Sequence, residues 1–234
     1  MPPAGTPGTL AERLHALVSA PRAVDDLRSY FGTGPHTGTT PFTGSRFEGL
    51  GGGGERSDTA CKITADDLVA VQMLSVRIPA RTALDLLEGG LGQQIEDFLR
   101  QIPTGLDLVD AEPARIGKGS PADRAWHLLV TQPKVGWVTA SKLLARKRPR
   151  SLPVYDQVVR CALGSPSRFW HDLRVALRAE DRAIHRRLLE LRTAAGVPDT
   201  VSALRVCDVV VWMRHRGDHT SRKCPGLDPS APDE

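Results

Sequence analysis

The sequence predicts a mainly α-helical bundle with an irregular, glycine-rich segment near its N-terminus. Apolar residues recur at three- and four-residue spacing along most of the chain. Helix-start signals stand at Thr64, at Ser120-Pro121 and at Asp156. No stretch shows the apolar–polar alternation of a half-buried strand. With 234 residues, 40% hydrophobic and 25% charged, the chain is long enough to bury a core. No apolar run approaches the ~18 residues of a membrane helix, and the first residues lack a basic stretch followed by an apolar one, so no secretory signal is expected. The four cysteines, at 61, 161, 207 and 224, are read as free thiols of a cytoplasmic protein.

Taken in order, residues 1–9 are rich in Pro, Gly and Thr and are expected to fray. Residues 10–31 give two short amphipathic helices broken at Pro21. From Gly32 to Thr59 glycines crowd among Thr, Pro and isolated aromatics, which predicts an irregular segment with room for a short strand. It is either a flexible linker or a loop that touches substrate. No Lys-Ser or Lys-Thr follows the glycines, so it is not a nucleotide P-loop. Thr64 then caps a helix with Asp66 and Asp67 in its first turn, apolar nearly all round and so expected to be central and buried.

Helices follow at 81–88 and 93–102, with 104–119 as a loop and Ser120-Pro121 opening another helix. A tight hairpin at 131–137 leads into a helix from Val138 to about Lys147, with Lys142 and Arg146 on one face. Asp156 caps the next helix, and three more are expected at 167–179, 181–194 and 201–214. The chain divides into residues 1–59, a helical domain over 60–216 and a disordered tail over 217–234.

Charge is concentrated in Pro133–Arg160. Lys134, Lys142, Arg146, Lys147, Arg148, Arg150 and Arg160 face one anion, Asp156, a net of +6 where the whole chain is +4. The remainder therefore sums to −2. A cationic concentration of this kind points to a phosphate-bearing partner. A helix–hairpin–helix unit accounts for it: Gly136 permits the tight turn, and the following helix presents unbonded N–H groups and its positive end to a DNA phosphate. Val135 and Thr139 belong to the same hairpin, and Lys134, Lys142, Arg146, Lys147 and Arg148 would add contacts to the DNA backbone.

The run Val135-Gly136-Trp137-Val138-Thr139-Ala140, then Lys142-Leu143-Leu144, Arg148-Pro149 and Leu152-Pro153-Val154-Tyr155-Asp156, resembles the core of the helix–hairpin–helix DNA glycosylase superfamily. The Thr139-to-Asp156 separation is similar to that family's arrangement. A weaker likeness lies at Asp67–Val71 and Leu74-Ser75, so the resemblance covers roughly residues 64–164. It implies a glycosylase-like helical bundle with Asp156 as the catalytic carboxylate and Arg77 as the side chain that fills the vacated base stack. Where bifunctional members carry a Schiff-base lysine this chain has Val138, which implies hydrolysis without lyase chemistry. The hairpin's first glycine is replaced by Lys134. The chain also resembles an uncharacterised domain-of-unknown-function family of high-GC actinobacteria, which implies no activity.

Asp156 has two readings, a helix cap or a carboxylate that stabilises positive charge on deoxyribose and orients water. Trp126, Trp137 and Tyr155 either line a pocket for a flipped base or simply pack. Cys207, His215, His219 and Cys224 hold a His-x-x-x-His pair, but Gly217 argues against a continuous helix there, so no metal is expected. No cofactor is expected either. Three functions remain open: a monofunctional DNA N-glycosylase, a non-catalytic DNA-binding module, and a protein whose basic patch meets an acidic partner.

Overall fold

The structure, a computed structural model, describes residues 8–34 and 41–220. Among them are eleven helices and no strand. Helix α1 (Leu10–Val18) starts at Thr9, whose side chain forms a reciprocal capping box with Glu12, so the order begins earlier than the composition suggests. Helix α2 (Ala23–Phe31) follows the break at Pro21 and ends on Gly32 in the left-handed conformation. Residues 41–59 form two 3-10 turns, Thr43–Arg46 and Leu50–Gly52, rather than a strand or a free linker.

Helix α3 (Ala65–Gln72) has the predicted Thr64 cap, closed by Asp67 as a second capping box. It is not buried all round, because Val69 is 47% exposed. Helices α4 (Ala80–Glu88) and α5 (Gly90–Leu99) pack on one another. A single turn, α6 (Pro113–Ile116), interrupts the expected loop. Helix α7 (Pro121–Val130) begins at Ser120, which accepts the Asp123 N–H.

The central helix is α8 (Trp137–Lys147), in which every residue from Val138 onward is buried. Helix α9 (Gln157–Ala162) starts at Asp156. Helix α10 (Phe169–Ala194) bends at Ala179–Arg182, close to the division expected between two helices. Helix α11 (Ala203–Thr220) runs straight across Gly217, so that glycine does not end it. Residues 221–234, the rest of the expected tail, lie outside the described residues.

One buried cluster runs from Leu14 to Val211 and is continuous across residue 59. Helices α1 and α2 lie against α10 and α11, while α8 is enclosed by α3 and α7. No helix among the described residues is long and apolar enough to cross a membrane.

Candidate functional site

Helix α7 and helix α8 are joined by a short turn at 131–136, where the hairpin is expected. Val135 N–H bonds back to Gln132 O at 3.1 Å and closes the turn. Lys134 adopts φ 60°, the left-handed region that a glycine would occupy without strain. Gly136 precedes α8 in an extended conformation and gives it no side-chain cap. Lys134 and Gly136 are exposed, whereas Val135 and Thr139 are buried. The start of α8, which no side chain caps, thus lies on the same turn as one exposed cation. Arg77, in the connection after α3, is exposed.

The remaining predicted phosphate contacts point inward. Lys142, Arg146, Lys147 and Arg148 are 6%, 1%, 0% and 0% exposed. Arg146 donates from Nε to Asp67 Oδ1 at 2.8 Å, and from its two Nη atoms to the carbonyls of Phe47, Glu48 and Leu50, each at 2.6 Å. Lys147 bonds Asp67 Oδ2 at 2.9 Å and Thr59 O at 3.0 Å. Arg148 reaches the carbonyls of Ile102, Ala60 and Leu99. Leu99 ends α5, so the guanidinium meets the negative end of that helix.

These side chains are therefore structural anchors and do not form a basic surface. A cation buried and hydrogen-bonded within the core is not placed to meet a phosphate at the surface. The arrangement also explains the glycine-rich segment, which wraps the end of α8 and offers its carbonyls to the cations. Gly54 lies so close to α8 that a Cβ there would stand 1.9 Å from Arg146 O. Of the other cations in the stretch, Arg150 is paired with Asp107 at 2.7 Å, and Arg160 lies over the Trp137 ring.

Asp156 does cap α9, its Oδ1 accepting the Val159 N–H at 3.0 Å. Its Oδ2 lies 3.5 Å from Lys142 Nζ, which also donates to Leu74 O at 2.9 Å. The carboxylate side chain is 14% exposed. The loop before it is fixed by Ser141, whose hydroxyl donates to Pro153 O and accepts the Tyr155 N–H.

The aromatic expectation divides. Trp137 and Tyr155 come together, with ring centroids 5.2 Å apart, and Tyr155 stacks on Phe169 at 4.0 Å. Burial pushes the Tyr155 phenol up to about 12, so its O–H stays protonated and donates to Pro166 O. Trp126, on α7, instead sets its ring edge-on to His127.

Sequence reasoning missed a second polar cluster beside Asp156. Arg205 is buried, pairs with Asp208 and donates to Tyr30 Oη and to Gly44 O. Burial pushes the Asp208 carboxyl up to about 7, with the Arg205 charge opposing and that of Asp156 adding. Its signal was one carboxylate inside the apolar run Val206-Cys207-Asp208-Val209-Val210-Val211. Asp67 was seen only as a first-turn acid; its burial as the partner of two cations had no local signature.

The cysteines depart from expectation as well. Cys61 and Cys207 are free, but Cys161 is disulfide-bonded. Cys224 lies outside the described residues. Helix α9 packs along α11 and brings Cys161, not Cys207, to His215 and His219.

A protein-family model described as a family of unknown function, DUF6308, matches residues 23–215. No curated protein and no solved structure matches the chain.

Proposed function

The chain belongs to DUF6308, a family whose description assigns no activity, and we propose from its own residues that it is a DNA-binding protein that seats the N-terminus of α8 on a backbone phosphate. The observation that carries this is the exposed, uncapped start of α8 at Gly136, beside Lys134 on the same turn. Unbonded amides and a positive helix end suit an anion, and a flanking ammonium adds to them. With four cations buried, the footprint is small. Two or three neutralised phosphates give a salt slope of about −2 to −3 in log K against log salt.

Fluorescence anisotropy with labelled duplex DNA tests this. Gly136→Asp places a carboxylate at the α8 N-cap, where it favours the fold but repels phosphate. Binding should fall at least about tenfold, by the size of a lost charge-assisted contact. Affinity that is unchanged in this variant overturns the assignment.

A finer function, hydrolysis of the N-glycosidic bond of a modified base, is favoured by Asp156. Its Oδ1 is engaged as a cap, and its Oδ2 stands 3.5 Å from the Lys142 ammonium, with the side chain 14% exposed. A carboxylate at that position could stabilise an oxocarbenium-like sugar and orient the attacking water. Val138 is buried and cannot form a Schiff base, so strand cleavage does not follow. Asp156→Asn keeps a good helix cap while removing the charge. Duplexes carrying modified bases should release base with the parent protein and not with Asp156→Asn, DNA binding being retained. No release from a broad panel leaves DNA binding alone.

A further inference from the structure

Helix α11 carries His215 and His219 one turn apart on the same face, and α9 delivers Cys161 to that face. One ligand atom from each of the three lies within 4.8 Å of the others. Four-residue spacing on an unbroken helix aligns two imidazoles, and α11 is unbroken across Gly217. The two rings stand 6.5 Å apart, centroid to centroid, and are tilted by 51°. The Nδ1 of His219 is buried and has no hydrogen-bond partner. A buried imidazole nitrogen without a partner loses hydration for no return, unless a ligand supplies the missing bond.

We propose that Cys161, His215 and His219 form a zinc site, with the fourth position taken by water or a further donor. A mixed sulfur and imidazole set in tetrahedral reach suits Zn²⁺ over the hard ions Mg²⁺ and Ca²⁺, which prefer oxygen. The assignment is independent of DNA binding. The ion would join α9, which Asp156 starts, to the C-terminal end of α11.

Thiolate is the ligand form of Cys161, and its sulfur stands here in a disulfide. Two equivalents of a monothiol open that disulfide. Each gives one electron and one proton, the protein disulfide becomes two thiols, and the two donors are joined as their own disulfide. Zinc then replaces the Cys161 thiol proton, which passes to solvent. The same sulfur thus serves two exclusive states, an oxidised cross-link and a reduced metal ligand.

Cobalt(II) titration of the full chain tests the site. The protein is reduced with a phosphine, stripped with a chelator and titrated anaerobically. One equivalent should give the thiolate-to-cobalt charge-transfer band and the visible d–d bands of tetrahedral cobalt, and Zn²⁺ should bleach both. Cys161→Ser should abolish the charge-transfer band, while Cys207→Ser should leave it intact. His215→Ala and His219→Ala should each weaken cobalt binding by at least about tenfold. Unreduced protein should show no such band, a control that needs no variant to fold. Absence of the band in reduced parent protein, or its survival in Cys161→Ser, overturns the site.

Discussion

Arg146 donates its Nε–H to Asp67 Oδ1 at 2.8 Å, joining side chains 79 residues apart that are both excluded from solvent. Asp67 also holds Lys147 and closes the capping box of α3, so one carboxylate serves two cations and a helix start. Removing one member of a buried ionic set leaves the others desolvated and uncompensated. Asp67→Ala should therefore lose about 3–5 kcal/mol of stability. Its exposed neighbour gives the control, Asp66→Ala, which should lose only about 0.3–1 kcal/mol of helix-dipole stabilisation. Urea denaturation compares the two, and equal losses would refute the anchor role of Asp67.

Gly54 rests against the last turn of α8. A methyl group there meets a backbone carbonyl, that of Arg146, which cannot turn aside as a side chain would. Gly54→Ala should destabilise by about 1–3 kcal/mol, the range for overpacking. The loss should concentrate in residues 41–61, whose carbonyls would lift from Arg146 and Lys147. Faster limited proteolysis within that segment, ahead of global unfolding, is the expected result.

Such anchoring could not be seen in the sequence, whereas the helix starts could. Thr64, Ser120 and Asp156 each act through hydrogen bonds spanning four residues, so their chemistry is written locally. Lys142 and Arg146, four apart on a helix, give the same pattern whether that face meets solvent or carbonyls. What decides is Asp67 and the backbone of residues 47–61, all distant in sequence. The glycines looked like a linker for the same reason: their role is close approach to α8, which composition does not record. The turn between α7 and α8 was legible in outline, and Lys134 stands in it in the left-handed conformation that glycine adopts most readily. Cys161 went unpaired with the histidines because the expected helix stopped short of His219.

Lys134 sits where two demands oppose each other. A non-glycine residue in the left-handed region costs about 1–2 kcal/mol in helical runs, and less as a single turn residue. Lys134→Gly should raise stability by up to about 1 kcal/mol, part being lost to glycine's greater unfolded-state freedom. If the hairpin holds DNA, the same change removes one cation and lowers the salt slope by about 1. Thermal melting and a salt series of anisotropy titrations read the two effects separately. Higher stability with an unchanged salt slope would remove Lys134 from the interface.

Asp208 should impose a pH dependence on stability. Its carboxyl is raised from 3.8 to about 7, chiefly by burial, against the charges of Arg205 and Lys142, while that of Asp156 pushes it further up. Tyr30, bonded to Arg205, completes the surroundings. Because the native value lies above the unfolded one, the folded state holds this proton more tightly. That contribution is complete below about pH 3.8 and is lost as pH rises through about 7. Within the window the slope is at most about 1.4 kcal/mol per pH unit. Urea midpoints at pH 5, 6, 7 and 8 should therefore fall more steeply in the parent than in Asp208→Asn, which cannot titrate there. Asp26, Glu48 and Glu55 are also raised by burial. They remain in both proteins, so the difference between the two curves isolates Asp208. Parallel curves would mean that Asp208 stays ionised beside Arg205 throughout, with the ion pair outweighing desolvation.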